Sequence, residues 1–393
     1  MHRISREDAR KIEQALERIP HYVADELFPM AVRFEKQNTV LCIAFFAALV
    51  TTFFVPVDAA YLGYFDFKTL TCLFCVLAVV CALKNVHFFY LLARRIVRLF
   101  KNARLAVLAL VYVTFLGSML IANDMALLTF LPLGFFVLTS THKERYMAVT
   151  FILQNIAANL GGMLTPFGNP QNLYLYSHYD IPTGEFVRIM APPFAVAIAL
   201  ITACCIVFVR PEPLELAPDD TRPEPVRTAI YLVLFALAIA IVFRGIPYWI
   251  GLIIIPAVLF FVDARALRMV DYALLFTFVF FFIFAGNMAR IDTVRAFFSA
   301  LLSRNTLLVS VASCQVISNV PSAILLSQFT ENYRELLLGV NIGGCGTLIA
   351  SLASLITFRE YTKNNPGKAG SYLLKYSLFN FAFLAILTAF SSL

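Results

Sequence analysis

Two polar, glycine-rich strings of the same pattern interrupt long apolar stretches in the two halves of this chain. The first covers residues 159–172, the second covers residues 341–354, and the two align without gaps. Asn, Gly, Gly and Thr recur in register in both strings. Each string follows an asparagine-bearing break in an apolar run, at Asn123 in the first half and at Asn319 in the second. We interpret the pair as a duplicated site inside a membrane.

The physical reason is that hydrocarbon cannot satisfy backbone polar groups. Such backbone is tolerated at membrane depth only where protein surrounds it or where it lines a wet cavity. In the first string, Pro166 and Pro170 cannot donate backbone hydrogen bonds and Gly168 permits unusual dihedral angles, so the helix must open there. Matched breaks in two halves of a chain are typical of secondary transporters that bind substrate between repeats.

Composition indicates an integral membrane protein. Hydrophobic residues make up 60% of it and charged residues only 14%, whereas about 25% are charged in soluble proteins. The apolar runs that approach the length of a spanning helix lie near 39–57, 64–84, 187–209, 228–246, 248–262, 270–288 and 370–391. Cys72 and Cys75 lack a second pair of ligands, so we expect no metal site beyond one for Na⁺.

The distribution of Lys and Arg predicts the topology. Seven precede residue 39 and six lie at 84–104, so both segments are expected in the cytoplasm. The run at 105–140 lies between basic segments and is therefore predicted to enter the membrane and return, as a re-entrant hairpin with Asn123 at its tip. A broken span at 146–176 then crosses outward.

The second half repeats this order from the opposite face. Its hairpin is predicted at about 306–330, its broken span at 336–357, and surface helices at 86–102 and 290–304. The predicted fold is an all-α integral membrane protein with two inverted repeats, about nine spanning helices and two hairpins. The predicted divisions are a cytoplasmic amphipathic segment (1–38), the first repeat (39–210), a cytoplasmic loop with a connecting helix (211–247) and the second repeat (248–393).

Asp124 is the most informative acid, because a carboxylate deep in a membrane needs a cation, a proton or water. We interpret it as the site of a coupling ion, Na⁺ or H⁺, helped by Asn123 and Gly168. The alternative is a buried acid that only caps the following helix.

The opened strings supply the remaining candidates, because freed carbonyls suit a cation and the start of a resumed half-helix suits an anion. The predicted substrate-binding residues are Asn123, Thr165, Pro166, Gly168, Asn169, Asn172, Ser318, Asn319, Thr347 and Ser351. Gln154, Asn155, Asn287 and Gln315 fit either ligand contacts or hydrogen bonds between helices. Arg290 and Asp292 are expected to form a surface ion pair.

Other function classes lack their signatures. The sequence has no His-Glu-x-x-His string, no Gly-x-Ser-x-Gly elbow and no nucleotide-binding loop, so neither an enzyme nor a cofactor is expected. The basic residues mostly flank apolar runs and set orientation, so no nucleic acid is expected as a partner. A passive channel remains an alternative that uphill transport would exclude.

The tip asparagines and the string Gly-Gly-x-x-Thr-Pro-x-Gly-Asn-Pro-x-Asn resemble the ion transporter superfamily of citrate-transporter-like permeases, divalent anion/sodium symporters, arsenite permeases and sodium/proton antiporters. The resemblance spans roughly 39–393. It implies a scaffold part and a transport part that moves as an elevator, and it allows a homodimer. Asn-Asp at the first tip is more similar to the arsenite and antiporter branches, whereas residues 165–170 are more similar to the citrate branch.

The expected function is therefore ion-coupled transport of a small anionic solute, citrate-like, dicarboxylate-like or arsenite-like. The alternative is a sodium/proton antiporter with Asp124 as the ion site. We expect the protein in lipid of the bacterial inner membrane with its N-terminus in the cytoplasm.

Overall fold

The computed structural model describes residues 39–97, 99–214 and 224–393. Over these ranges the chain is helical, and its β-structure amounts to an isolated bridge between Asn102 and Pro213. The predicted N-terminal segment 1–38 lies outside the described residues, as does part of the predicted cytoplasmic loop.

Each half of the chain contributes the same order of helices. The first repeat contains α1 Thr39–Thr52, α2 Phe67–Asn85, α3 Phe88–Val97, α4 Ala103–Ile121, α5 Asn123–Ser140, α6 Met147–Gly161, α7 Pro170–His178 and α8 Thr183–Phe208. After the connector α9, Pro225–Val242, the second repeat contains α10 Tyr248–Arg268, α11 Tyr272–Arg290, α12 Asp292–Arg304, α13 Thr306–Ile317, α14 Asn319–Leu326, α15 Tyr333–Ile342, α16 Leu352–Asn364 and α17 Ala369–Ser391. In each repeat two helices form a hairpin, α4–α5 or α13–α14, and two form a broken span, α6–α7 or α15–α16.

The two ends of α8 show that the repeats are inverted. At its start, Glu185 accepts a hydrogen bond from the Tyr333 hydroxyl at 2.8 Å, close to the open end of the second hairpin. Just beyond its end, Glu212 binds Lys143 at 2.9 Å, and its carbonyl accepts the Ala103 N–H at the open end of the first hairpin. A helix of 26 residues spans about 39 Å. The hairpins therefore open at opposite faces.

We name two groups of helices after the scaffold and transport parts that the resemblance implies. In the scaffold group, α1 packs on α11, and α2 packs on α9 and α10. In the transport group, each hairpin packs on its own broken span, while α5 contacts α16 of the other repeat and α14 contacts α7. Apart from the contact with the connector α9, these contacts form symmetric pairs. The α1–α11 contact corresponds to α10–α2, and the α5–α16 contact corresponds to α14–α7.

Nine helices of the described chain are long and apolar enough to cross a membrane. The set includes both limbs of the first hairpin, which have 19 and 18 residues and pack along α6. In contrast, the described part of the run at 39–57 is helical only to Thr52 and then turns. The short run at 248–262 extends to Arg268 through a non-helical residue, Asp263.

The predicted pair of Arg290 with Asp292 is wrong. Arg290 instead binds both oxygens of Asp58, at 3.0 and 2.7 Å, and the Tyr64 hydroxyl at 3.1 Å. This contact joins the end of α11 to the loop before α2, so it depends on the packing of one repeat against the other.

Candidate functional site

Both hairpins turn at a residue with the same unusual backbone conformation. Ala122 has φ 64° and ψ 154°, and Ser318 has φ 73° and ψ 161°. This region is normally occupied by glycine and costs other residues about 1–3 kcal/mol. The next residue is the predicted asparagine, whose Oδ1 accepts the following backbone N–H at 2.9 Å in both hairpins. Each hairpin therefore turns at a strained residue.

The predicted breaks are present in both broken spans. In the first, α6 ends at Gly161, a 3₁₀ turn covers Gly162–Leu164, and the helix resumes at Pro170. In the second, α15 ends at Ile342 and α16 begins at Leu352. Pro166 is buried in the first break. Gly168 lies so close to the preceding turn that an added Cβ would be 2.3 Å from the Gly162 carbonyl oxygen.

Thr165 and Thr347 hold their breaks against the hairpins. The Thr165 hydroxyl donates to the Met119 carbonyl at 2.7 Å, and the Thr347 hydroxyl donates to the Gln315 carbonyl at 3.1 Å. Met119 and Gln315 each lie four residues before the tip asparagine, so the two contacts are equivalent under the internal symmetry. In this conformation both threonines act as braces between backbone segments, a role that the sequence alone does not reveal.

Side chains at the start of the resumed helices cross between the repeats. Asn169 and Ser351 occupy equivalent N-cap positions, yet neither side chain caps its own helix. Asn169 Nδ2 lies 3.4 Å from Asn341 Oδ1, and the Ser351 hydroxyl donates to Asn159 Oδ1 at 2.8 Å. These two contacts are a symmetric pair that ties each broken span to the other.

Asn159 and Asn341 were not among the candidate residues, although they open the two repeated strings. Asn341 Nδ2 donates to Asn172 Oδ1 at 2.6 Å. The Asn172 amide in turn donates to the carbonyls of Gly162, Met163 and Thr165 at 3.1 to 3.4 Å. Asn172 therefore provides hydrogen bonds to carbonyls that the broken helix leaves unpaired. The recurrence of asparagine at the first position of both strings was the signal for this pair.

Each tip asparagine contacts a broken span. Asn123 Nδ2 donates to Asn159 Oδ1 at 3.1 Å, and the Asn319 N–H donates to the Ala350 carbonyl at 3.0 Å. A Cβ built on Gly344 would lie 3.3 Å from Asn319 Nδ2 and 3.6 Å from Asn159 Oδ1. Both tip side chains are only 3% exposed.

We use the name central cluster for the polar side chains that meet at the tips and breaks, Asn123, Asn159, Asn169, Asn319, Asn341 and Ser351. Not all of their hydrogen-bonding groups have a partner. Asn159 Nδ2 and Asn169 Oδ1 are buried without a hydrogen-bond partner. Ser318 is half-buried, and its hydroxyl lies 3.3 Å from the Ala350 carbonyl. The cluster thus retains one donor and one acceptor that a ligand can use.

Four helix N-termini are directed at this cluster. They are the starts of α5, α7, α14 and α16, and in none of them does the side chain of the N-cap residue cap the helix. At α5 and α14 the tip asparagine accepts one of the terminal N–H groups. Each such terminus carries roughly half a positive charge. The breaks in the sequence predict two of these termini, and the hairpin tips supply the other two.

Asp124 borders a small cavity beside the cluster. The cavity measures about 80 Å³ and is lined mainly by apolar side chains of α2, α5, α7 and α16, together with Ala122 and Asp271. Asp124 Oδ1 is buried and accepts no hydrogen bond. Asp271, which was not a candidate, caps α11 by accepting the Leu274 N–H at 2.9 Å. Two carboxylates therefore border one apolar cavity.

The sequence left the roles of four polar residues undecided, and in this conformation they form hydrogen bonds between segments of the protein. Gln154 joins both limbs of the first hairpin to α6, and Gln315 binds the Gly343 and Cys345 carbonyls at 2.9 and 3.1 Å. Asn155 lies 3.4 Å from the Tyr376 hydroxyl, and Asn287 donates to Thr51 at 3.0 Å. Their contacts are those of structural hydrogen bonds.

Comparison with known proteins identifies the family. A family model described as "Citrate transporter" matches residues 30–333. The chain belongs to the citrate transporter family. It is also 31% identical over 336 residues to "Uncharacterized transporter MJ0456" of Methanocaldococcus jannaschii, covering 84% of this chain and 90% of the relative. A second relative is "Inner membrane protein YbiR" of Escherichia coli, with 30% identity over 319 residues, 78% of this chain and 84% of the relative. This citrate transporter family member is therefore an integral membrane transport protein.

Proposed function

We propose that this protein couples the movement of Na⁺ or H⁺ to transport of a small anion, with citrate, dicarboxylates and arsenite as the solutes to test. The observation that carries the proposal is the convergence of four helix N-termini from two inverted repeats, none of them capped by the side chain of its N-cap residue. Backbone N–H groups at such termini bind anions without a charged side chain. Family membership and the citrate named in the family description support an organic anion.

Within this site, the tip asparagines and the cross-repeat pair supply the polar contacts. Asn123 and Asn319 lie beside Asn159, which still has a free donor, while Asn169 has a free acceptor. Thr165 and Thr347 already donate to hairpin carbonyls. We therefore assign these threonines to holding the site open and the asparagines to contacting the solute.

Asp124 is proposed to bind the coupling ion. Its free Oδ1 faces an apolar setting, where a bare carboxylate is costly and a bound cation or proton removes the cost. The Asn123 side chain receives the Asp124 N–H, so an ion at Asp124 directly affects the tip that contacts the solute. This link gives a physical route for coupling.

The packing supports an elevator motion of the transport group against the scaffold. The hairpins and broken spans contact one another across the repeats, and the cavity at Asp124 lies on the boundary with α2 and α11. We place the face with the basic segments in the cytoplasm, together with the N-terminus, and the protein in a bacterial inner membrane. The named inner membrane relative is consistent with that location.

The second candidate is a sodium/proton antiporter, favoured by the small apolar cavity at Asp124. Flux in proteoliposomes separates the two. Labelled citrate, succinate and arsenite are tested with Na⁺ or pH gradients, while a pH-sensitive dye reports exchange of Na⁺ for H⁺. Uphill uptake of one anion supports the first proposal. Robust exchange without uptake of any of these anions would establish the antiporter instead.

Variants then test the residues. Asn123→Ala and Asn319→Ala are expected to raise the half-saturating solute concentration, because each removes a polar contact at the cluster. Asn287→Ala is the matched control, since this buried asparagine joins α11 to α1 in the scaffold. Asp124→Asn is expected to keep the fold and lose dependence on the coupling ion. Unchanged transport in all three site variants would remove the assignment.

A further inference from the structure

A second cavity is related to the cavity at Asp124 by the internal two-fold. We name the two after their scaffold acids, the Asp271 cavity and the Asp66 cavity. The Asp66 cavity measures about 140 Å³ and includes Tyr64, Tyr174, His178 and Gln328 in its lining. It is the more polar of the two.

The lining residues establish the relation. Asp66 and Asp271 occupy the same position, as N-caps of two helices that both contain 19 residues. Equivalent positions of the hairpins and broken spans also line the two cavities. The corresponding residues of the Asp271 and Asp66 cavities are Leu77 and Phe282, Leu128 and Ile324, and Ile356 and Tyr174.

The two scaffold acids lie at opposite faces. The end of α11 contacts the segment just before α2 through Arg290 and Tyr64. Near the other end, the Cys81 thiol of α2 lies 3.3 Å from the Met269 carbonyl just before α11. The helices are therefore antiparallel, and their first residues are about 28 Å apart along the bilayer normal for helices of this length.

Both acids are fixed in place by capping bonds. Asp66 accepts the Thr69 N–H at 2.9 Å and the Thr69 hydroxyl at 2.5 Å, and Asp271 accepts the Leu274 N–H at 2.9 Å. Asparagine, serine and threonine cap helices about as well as aspartate does. The cap alone therefore does not require a charge at either position.

The transport group places its own acid in only one of these cavities. Asp124 shares the Asp271 cavity and leaves its Oδ1 without a hydrogen bond. Its equivalent in the second hairpin is Val320, which does not line the Asp66 cavity. Two carboxylates that border one cavity, the half-buried Asp124 and the exposed Asp271, attract a cation because it offsets the repulsion between like charges.

We infer that Asp66 and Asp271 are two fixed acidic stations for the coupling cation, one at each face of the scaffold. The inference rests on the proposed function. Each station raises the local concentration of the cation on its own side, where Asp124 binds or releases it. The moving acid and the two fixed acids then form a pathway that follows the internal symmetry.

The test uses Asp66→Asn and Asp271→Asn in the full chain, because asparagine preserves each cap and removes the charge. Transport is measured in right-side-out and everted vesicles, with Na⁺ gradients in one arm and pH gradients in the other. Asp66→Asn is expected to raise the half-saturating cation concentration about tenfold from its own face only, and Asp271→Asn from the opposite face only. Asp292→Asn and Glu144→Gln, which change exposed acids away from both cavities, are expected to behave as wild type.

Melting temperature in detergent separates charge from folding and needs no transported solute. NaCl is compared with choline chloride, and neutral with mildly acidic buffer. The Asn variants are expected to melt as wild type without the active cation and to show a smaller shift with it. Asp66→Ser and Asp271→Ser, which also cap, repeat the test if an Asn variant unfolds. If Asp66→Asn and Asp271→Asn both keep the cation dependence of wild type, the two acids are not cation stations. This outcome can be recognised even if no transported anion is found. Equal changes from both faces overturn the two stations as well.

Discussion

Gly168→Ala tests whether the first break is as tightly built as its contacts indicate. The new Cβ would lie 2.3 Å from the Gly162 carbonyl oxygen and 2.6 Å from Thr165 Oγ1. Neither obstacle is a free side-chain end, since one is backbone and the other is bonded to the Met119 carbonyl. The substitution therefore has to move the opened backbone.

The magnitude follows from two opposing effects. Overpacking costs about 1–3 kcal/mol, and obstruction by backbone favours the upper end of that range. Alanine recovers about 0.4–1 kcal/mol by restricting the unfolded chain. The net loss is roughly 2 kcal/mol. With an unfolding entropy of about 2.1 cal/mol/K per residue over 393 residues, the melting temperature should fall by about 2–3 °C.

The assay is thermal unfolding of the purified protein in detergent, followed by anion flux in proteoliposomes. Gly184→Ala is the matched control, because its Cβ meets nothing within 4 Å in the first turn of α8. The control should melt at the same or a slightly higher temperature and retain transport. Gly168→Ala should melt lower and transport more slowly, because the Thr165 brace shifts. If Gly168→Ala matches the control in both measurements, the close approach does not constrain the break.

Three further substitutions test the tip, a brace and a loop. Ala122→Gly should raise the melting temperature, because glycine adopts φ 64° without the strain of about 1–3 kcal/mol; no increase would argue against strain at the tip. Thr165→Val should cost about 1 kcal/mol in denaturant titrations by removing the bond to the Met119 carbonyl, and an unchanged midpoint would contradict the brace. The hydrogen bond from Arg290 holds the pKa of Asp58 below its usual value. The ionised Asp58 therefore stabilises the folded protein at pH values above its pKa in the unfolded chain, and this stabilisation is lost as the pH falls through its pKa in the folded protein. The melting temperature should therefore fall more between about pH 6 and about pH 3 in wild type than in Asp58→Asn. The excess should be small, because the ion pair is exposed. The same fall in both proteins would exclude this contribution of Asp58.

Much of the architecture could be predicted from the sequence because hydrocarbon imposes strict local rules. Backbone donors and acceptors must be paired within a segment, so glycine, proline and asparagine in an apolar run had to mark a turn or an opening. The tips at Asn123 and Asn319 and both breaks follow from that rule. The charge pattern also predicted the opposite orientation of the two hairpins, which the contacts at the two ends of α8 show.

Local rules failed where a residue acts on a distant segment. The sequence predicted Thr165 as a solute contact, and the bond from its hydroxyl to a carbonyl 46 residues away could not be predicted. Arg290 was paired with its neighbour Asp292, whereas its partner is Asp58 in the other repeat. Asp271 was not a candidate in the sequence, and only the fold places it on the cavity that Asp124 borders.

The sequence by itself determined the bilayer location, the duplication and the places where helices must break, because each follows from hydrophobicity or from the needs of nearby backbone. Only the tertiary structure decided which side chains meet. Asn159 meets Ser351, and Asn341 meets Asn169, across separations of 192 and 172 residues. Those meetings depend on how two inverted repeats pack, and the packing energy is spread over whole helix faces that no short motif encodes.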